Sequence, residues 1–356
     1  MQTYVPFDFG LSESQEQRAA SLHEAAVIID GLGGSMLRRP SPEVNGLDRI
    51  GQYLTNGVTV TNETMAAPAA DARSAMHALF DYHCLTQVDE GRTLAIRTTD
   101  DILRCKREGR LGILTGFQGA NPFEDDLSLV YVFHELGLRI TNLVYNKRNL
   151  LGSGISEAVD EGLTAYGHQV VHELNRLGIT LDLSHTALGT SLDALKATRA
   201  PAVFSHSNAK RLTEHSRNLT DEQIRAAAAT GGLIGLCPHS MFNEKTKGVR
   251  PTLNEFFEHF DYMVDLVGID HVAIGTDLFG GQNLSETVYR FKLGLGKPGS
   301  WGGYGIEEKY VIGFDNVYGW LNITRGLVSK GLSDEDVLKV LGDNWLRVFR
   351  DTWGAS

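Results

Sequence analysis

The chain is poor in cysteine and in positive charge. Its 356 residues include three cysteines, Cys84, Cys105 and Cys237. They are too few and too scattered for a disulfide framework or a CxxC zinc site, and they fit a reducing compartment. Lysine and arginine total 33 against 44 acidic residues, a net charge of -11. That deficit argues against nucleic acid as a partner. No uninterrupted apolar run approaches the roughly eighteen residues of a membrane span. The opening MQTYVPFDFGLSESQEQ has no basic or apolar leader segment, so the expectation is a cytoplasmic protein with no membrane partner. No GxGxxG or GxxxxGK[ST] follows a strand, which removes the common nucleotide-binding readings. There is no internal repeat and no low-complexity linker, so residues 1–356 are expected to form one domain.

What is present is an ordinary globular balance, 42% hydrophobic and 22% charged, enough apolar material for a sizeable core. Eight short apolar runs recur: AVIID (26–30), GVTVT (57–61), LGILTG (111–116), LRITNLVY (138–145), GITLDLS (178–184), PAVFS (201–205), GLIGLC (232–237) and HVAIGTD (271–277). Near-continuous apolar runs suit buried parallel strands. Amphipathic stretches lie between them, such as LTAYGHQVVHELNRLG and LTDEQIRAAAATGG. The latter opens on Thr220-x-x-Gln223, a capping box, and closes on Gly231 and Gly232. Eight strand-loop-helix units predict an α/β fold, a (β/α)8 TIM barrel with N- and C-terminal helical extensions. An open doubly wound sheet is the alternative. Residues from about 279 to 318 read as a long glycine- and aromatic-rich loop, of the kind that often forms a lid.

In such a barrel, chemistry gathers where the strands end. His185 and His206 close LDLSH and AVFSH, at matched points of consecutive strands. Either alone reads as a structural cap; together they could share a metal ion. Asp277 ends IGTD and could orient water, act as general base or cap a helix. Arg217, in the loop after strand six, could clamp a substrate carboxylate or simply be solvated. Strand three ends in Gln118 and strand four in Tyr145 and Asn146. Cys237 and His239 read first as an ordinary strand end with a buried thiol, with replacement metal ligands or a pocket lining as the alternative. Lys147 and Arg148 are further candidates for positive charge near the site.

The stretches GLTAYGHQVVHELNRLGITLDLSH, APAVFSHSNAKRLTEHSRNLTDEQIRA, LVGIDHVAIGTD and VLGDNWLRVF resemble the membrane (renal) dipeptidase family of metallopeptidases. The resemblance runs from about Val27 to Trp353. It implies an amidohydrolase-like barrel with a two-zinc centre that hydrolyses dipeptides and often dimerises. It implies a second-site metal role for His185 and His206, a carboxylate clamp at Arg217 and a water-assisting role for Asp277. The match is partial. The family's His-x-Asp pair after strand one is replaced by Leu32 and Gly34, and its bridging glutamate by Gln118. Tyr145 stands where many relatives have a substrate-contacting histidine.

Losing these ligands predicts a reduced centre, one zinc ion per chain held by His185, His206 and the Gln118 carbonyl oxygen. Asp277 and Tyr145 then serve catalysis, with Arg217 and Tyr145 on a dipeptide or similar small substrate. Two other readings stand beside this one. The first is an enzyme with altered chemistry on a small amine or amino-acid derivative. The second is an inactive binding or scaffold barrel. A homodimer is an assembly the family allows.

Overall fold

All eight apolar runs become strands of one closed parallel layer. In this computed structural model the described residues are 4–34, 43–44, 47–89, 91–278, 304 and 308–354. The barrel strands are β1 Ile28–Gly34, β2 Val58–Ala66, β3 Leu111–Phe117, β4 Ile140–Asn142, β5 Thr180–Asp182, β6 Ala202–Val203, β7 Ile234–Leu236 and β8 Val272–Ile274. β1 to β6 pair in chain order, and β7 pairs with β8. A parallel bridge between Phe204 and Ile234 joins β6 to β7. Closure comes where β8 meets β1. There Asp277 N donates to Leu32 O at 2.6 Å, and Thr276 N donates to Asp30 Oδ1 at 2.8 Å.

Among the described residues three strands lie outside the eight: Glu43–Val44 and Leu47–Asp48, which pair antiparallel, and Thr93–Ile96. Thr93–Ile96 pairs in parallel with Leu111–Leu114 at the start of β3. Its four residues TLAI are only half buried, too short and too exposed to stand out by pattern. The helices follow their caps. Thr220 and Gln223 form the capping box of helix Asp221–Ala229. Helix Ala165–Leu177 starts on Thr164 and stops at Gly178, whose φ of 73° suits a residue without Cβ.

The chain ends bear out the helical extensions. Helix Glu13–Ala25 precedes β1, and among the described residues three α-helices, Trp320–Ser329, Asp334–Leu338 and Asn344–Trp353, follow β8. The last of these closes the bottom of the barrel. Its Asn344 Nδ2 donates to Val272 O, and its Trp353 Nε1 donates to Arg139 O, both at strand starts. Ile29, Val60, Leu114, Ile140, Val203 and Ala273, from six different strands, form an apolar cluster with Trp345 and Phe349. Burial of these side chains stabilises the fold by roughly 2 kcal/mol each. One end of the barrel is thus sealed, and the strand ends at the other end carry the polar residues. The predicted lid falls mostly on residues 279–303 and 305–307, outside the described residues. Among the described residues, no helix is long and apolar enough to cross a membrane.

Candidate active site

Two groups of residues face each other across the open end. The first lies on the β5/β6 side. His185 leaves β5 with a φ of 70°, a left-handed value rare outside glycine. Its Nδ1 lies 2.7 Å from Asn146 Oδ1, an acceptor, so Nδ1 carries the proton. His206 follows β6, and its Nδ1 lies 2.7 Å from Ser205 Oγ. Ser205 in turn donates its hydroxyl proton to the Asp182 carboxylate. That leaves Ser205 Oγ to accept from His206 Nδ1. Both Nε2 atoms therefore carry lone pairs, and they converge at 2.9 Å.

Neither imidazole is charged. Burial holds the pKa of both far below the usual histidine range, and the Arg217 guanidinium pushes the same way. Two facing lone pairs in a buried site repel each other unless a cation lies between them. The donor set therefore fits a metal ion here. Gln118 is nearby, but its amide Nε2, not the expected carbonyl oxygen, faces His206 Nε2 at 3.5 Å. Turning the amide over would present the oxygen. Tyr145 stacks on His185, with ring centroids 4.0 Å apart.

Arg217 is buried, 6% exposed. It donates to His206 O at 2.9 Å and to Ser207 Oγ at 3.2 Å, and its guanidinium lies 5.3 Å from the Phe242 ring centre. Its backbone N–H donates to His215 Nδ1 at 3.1 Å. A cavity opens between Arg217 and His185, walled in part by Ile155, Leu183 and Leu188. The guanidinium is thus held by main chain and ring, with donors left for a ligand.

The second group lies where β8 meets β1. Asp277 has a φ of 48°. Its carboxylate Oδ2 is 3.3 Å from His239 Nε2. Burial raises the Asp277 pKa, while Lys309 and Arg217 act to lower it. Lys309 Nζ donates to Asp277 O at 3.2 Å. Burial draws the Lys309 ammonium down to a pKa of about 7, against the opposing pull of Asp277 and Cys237. Behind them, Asp30 accepts from Thr276 Oγ1 at 2.5 Å and from Thr276 N at 2.8 Å. Leu32 is buried beside it, 1% exposed. Thr61 Oγ1 donates to the buried Glu63 at 3.0 Å. A Cβ on Gly33 would sit 1.8 Å from Thr61 Oγ1 and 3.0 Å from Glu63 Oε1, so the chain is filled in at this point.

The two groups share one field. Arg217 and Lys309 both act on His206 and on Asp277. The structure thus gathers His185, His206, Gln118, Tyr145, Arg217 and Asp277 at one end of the barrel. His239 lies with them, beside Asp277, which favours the pocket-lining alternative over the ordinary strand end. Cys237 remains a buried thiol whose pKa burial raises. The cation beside Asp277 is neither Lys147 nor Arg148. Lys147 is exposed, and Arg148 pairs with Glu161. Among the described residues, no three His, Cys, Asp or Glu side chains gather to hold a metal.

The family model for membrane dipeptidase, peptidase family M19, matches residues 54–290, about two thirds of the chain. The chain belongs to peptidase family M19. The crystal structure of an amidohydrolase from Pseudomonas aeruginosa is 32% identical, with a TM-score of 0.81, over 95% of this chain and 99% of that one. The dipeptidase tcpJ of Claviceps purpurea is 29% identical over 71% of this chain and 53% of its own length. An uncharacterized dipeptidase, C965.12, of Schizosaccharomyces pombe is 31% identical over 55% of this chain and 50% of its own. This M19 chain thus spans about half the length of the curated relatives it matches.

Proposed function

We propose that this M19 chain hydrolyses the amide bond of a dipeptide or similar small amino-acid derivative, using a single metal ion on the β5/β6 side. The carrying observation is the convergence of the His185 and His206 lone pairs at 2.9 Å beside the buried Arg217. His185 and His206 would hold the ion, with Gln118 as a weak neutral third donor. A bound ion of this kind lowers the pKa of water and polarises a carbonyl. The lack of a ligand side chain at Leu32 and Gly34 on β1 supports one ion rather than two.

The remaining steps belong to the chain's own residues. Arg217 pairs its free N–H groups with the substrate carboxylate. Tyr145 donates its hydroxyl to the substrate carbonyl oxygen. Asp277, whose ionised form Lys309 and Arg217 favour against the opposing effect of burial, accepts a proton as water oxygen bonds to the carbonyl carbon. It returns that proton to the amine as the C–N bond breaks.

The test is elemental analysis of protein purified without chelator, alongside a panel of dipeptides. One equivalent of metal, lost together with turnover in His185→Ala, is the expected result. Two equivalents would overturn the single-ion reading. Metal-free protein without turnover on any dipeptide would overturn the hydrolase reading.

A further inference from the structure

Asp277 is held more firmly than a strand end needs. Its left-handed φ of 48° is costly for a residue with a Cβ and persists only where the surroundings over-determine it. Its N–H donates to Leu32 O at 2.6 Å. Its carbonyl oxygen takes Tyr310 Oη at 2.9 Å and Lys309 Nζ at 3.2 Å. His239 Nε2 lies 3.2 Å from the same oxygen. One donor satisfies a buried carbonyl; here three surround it.

The two new donors come from a segment that is itself laced in place. Ser240 N donates to Lys309 O at 2.7 Å, Val311 N to Pro238 O at 2.9 Å and Ile312 N to Pro251 O at 2.9 Å. Lys309 is 3% exposed and Tyr310 7%. Burying a lysine head group for packing alone is costly, so its place beside a strained aspartate calls for a role.

We propose that Lys309 and Tyr310 are positioning residues, a clamp carried by residues 308–312 that fixes the strained Asp277 backbone and so aims its carboxylate into the reaction site. The inference rests on the reading of Asp277 as the proton acceptor. Lys309 adds charge to grip. It faces Asp277 and Cys237 and acts on His239 and His206, while Arg217 faces Asp277 from the opposite loop.

The test compares wild type with Lys309→Met, Lys309→Arg and Tyr310→Phe by amide hydrogen exchange and by the pH profile of kcat/KM. In Lys309→Met, exchange of the amides from Val272 to Asp277 should rise about tenfold, as for one lost hydrogen bond. The factor kcat/KM should fall about a hundredfold, the scale of a misplaced catalytic group, with KM little changed. The acid limb should move to higher pH, because Asp277 has lost a stabilising cation. Tyr310→Phe should loosen the same amides without moving the limb, and it serves as the test if Lys309→Met does not fold. Lys309→Arg should restore the limb. Unchanged exchange at 272–277, or an increase spread evenly over the molecule, would overturn the clamp. Selective loosening in a protein that cleaves no dipeptide would overturn the hydrolase reading and leave the clamp standing.

Discussion

The two sides of the barrel mouth are built on the same plan and have been put to different use. On the β5/β6 side, a buried Asp182 ties two strands together through Ser205. On the β8/β1 side, a buried Asp30 does the same through Thr276. Each aspartate sits below a strand end that turns into a left-handed residue, His185 or Asp277. Above Asp182 the chain presents the paired imidazoles of His185 and His206. Above Asp30 it presents Leu32, a glycine and the Lys309 ammonium. The same strand tie thus carries different side chains on the two sides of the mouth.

The sharpest way to break this comparison is Asp277→Asn. If both sides work together, kcat/KM should fall by about 10²–10⁴-fold while metal content stays at the wild-type level. A small effect would mean that the β5/β6 side acts alone. Next comes Arg217→Met, expected to raise KM about a hundredfold for substrates with a free carboxylate, and far less for their C-terminal amides. Equal losses on both would show that Arg217 supports His206 rather than the substrate. Ser205→Ala removes the link between Asp182 and His206, and metal affinity should drop about 10- to 100-fold in a chelator competition.

The mildest effect concerns Asp30. Burial raises its pKa from 3.8 to about 7, so the folded state holds a proton that the unfolded chain releases. Its contribution is full below pH 4 and fades as pH rises through 7. Between pH 5 and 7, wild type should lose roughly 2 kcal/mol relative to Asp30→Asn, read by denaturant unfolding at each pH.

How much of this was legible in the sequence follows from range. LDLSH and AVFSH advertise His185 and His206 because each histidine closes its own apolar run, and IGTD advertises Asp277 in the same way. The barrel was legible for the same reason, since each strand is one local run. Arg217 needed the resemblance to lift it above an ordinary surface residue. Lys309 was invisible. Its role depends on main-chain pairing with residues 238–240, some seventy positions earlier, and no local periodicity encodes that. The one available signal was a lysine set directly against the apolar run YVIGF. His239 was visible as a polar residue after its strand, but its pairing with Asp277 was not, because that residue lies on the next strand.

The left-handed backbone at His185 and Asp277 has one more consequence. Glycine at either position would relieve about 1–2 kcal/mol of steric strain. A laboratory population selected only for survival at high temperature should therefore drift to glycine at 185 and 277. One selected for turnover should keep both side chains. The direction of that drift, scored by sequencing alone, would tell whether these two positions answer to heat or to chemistry.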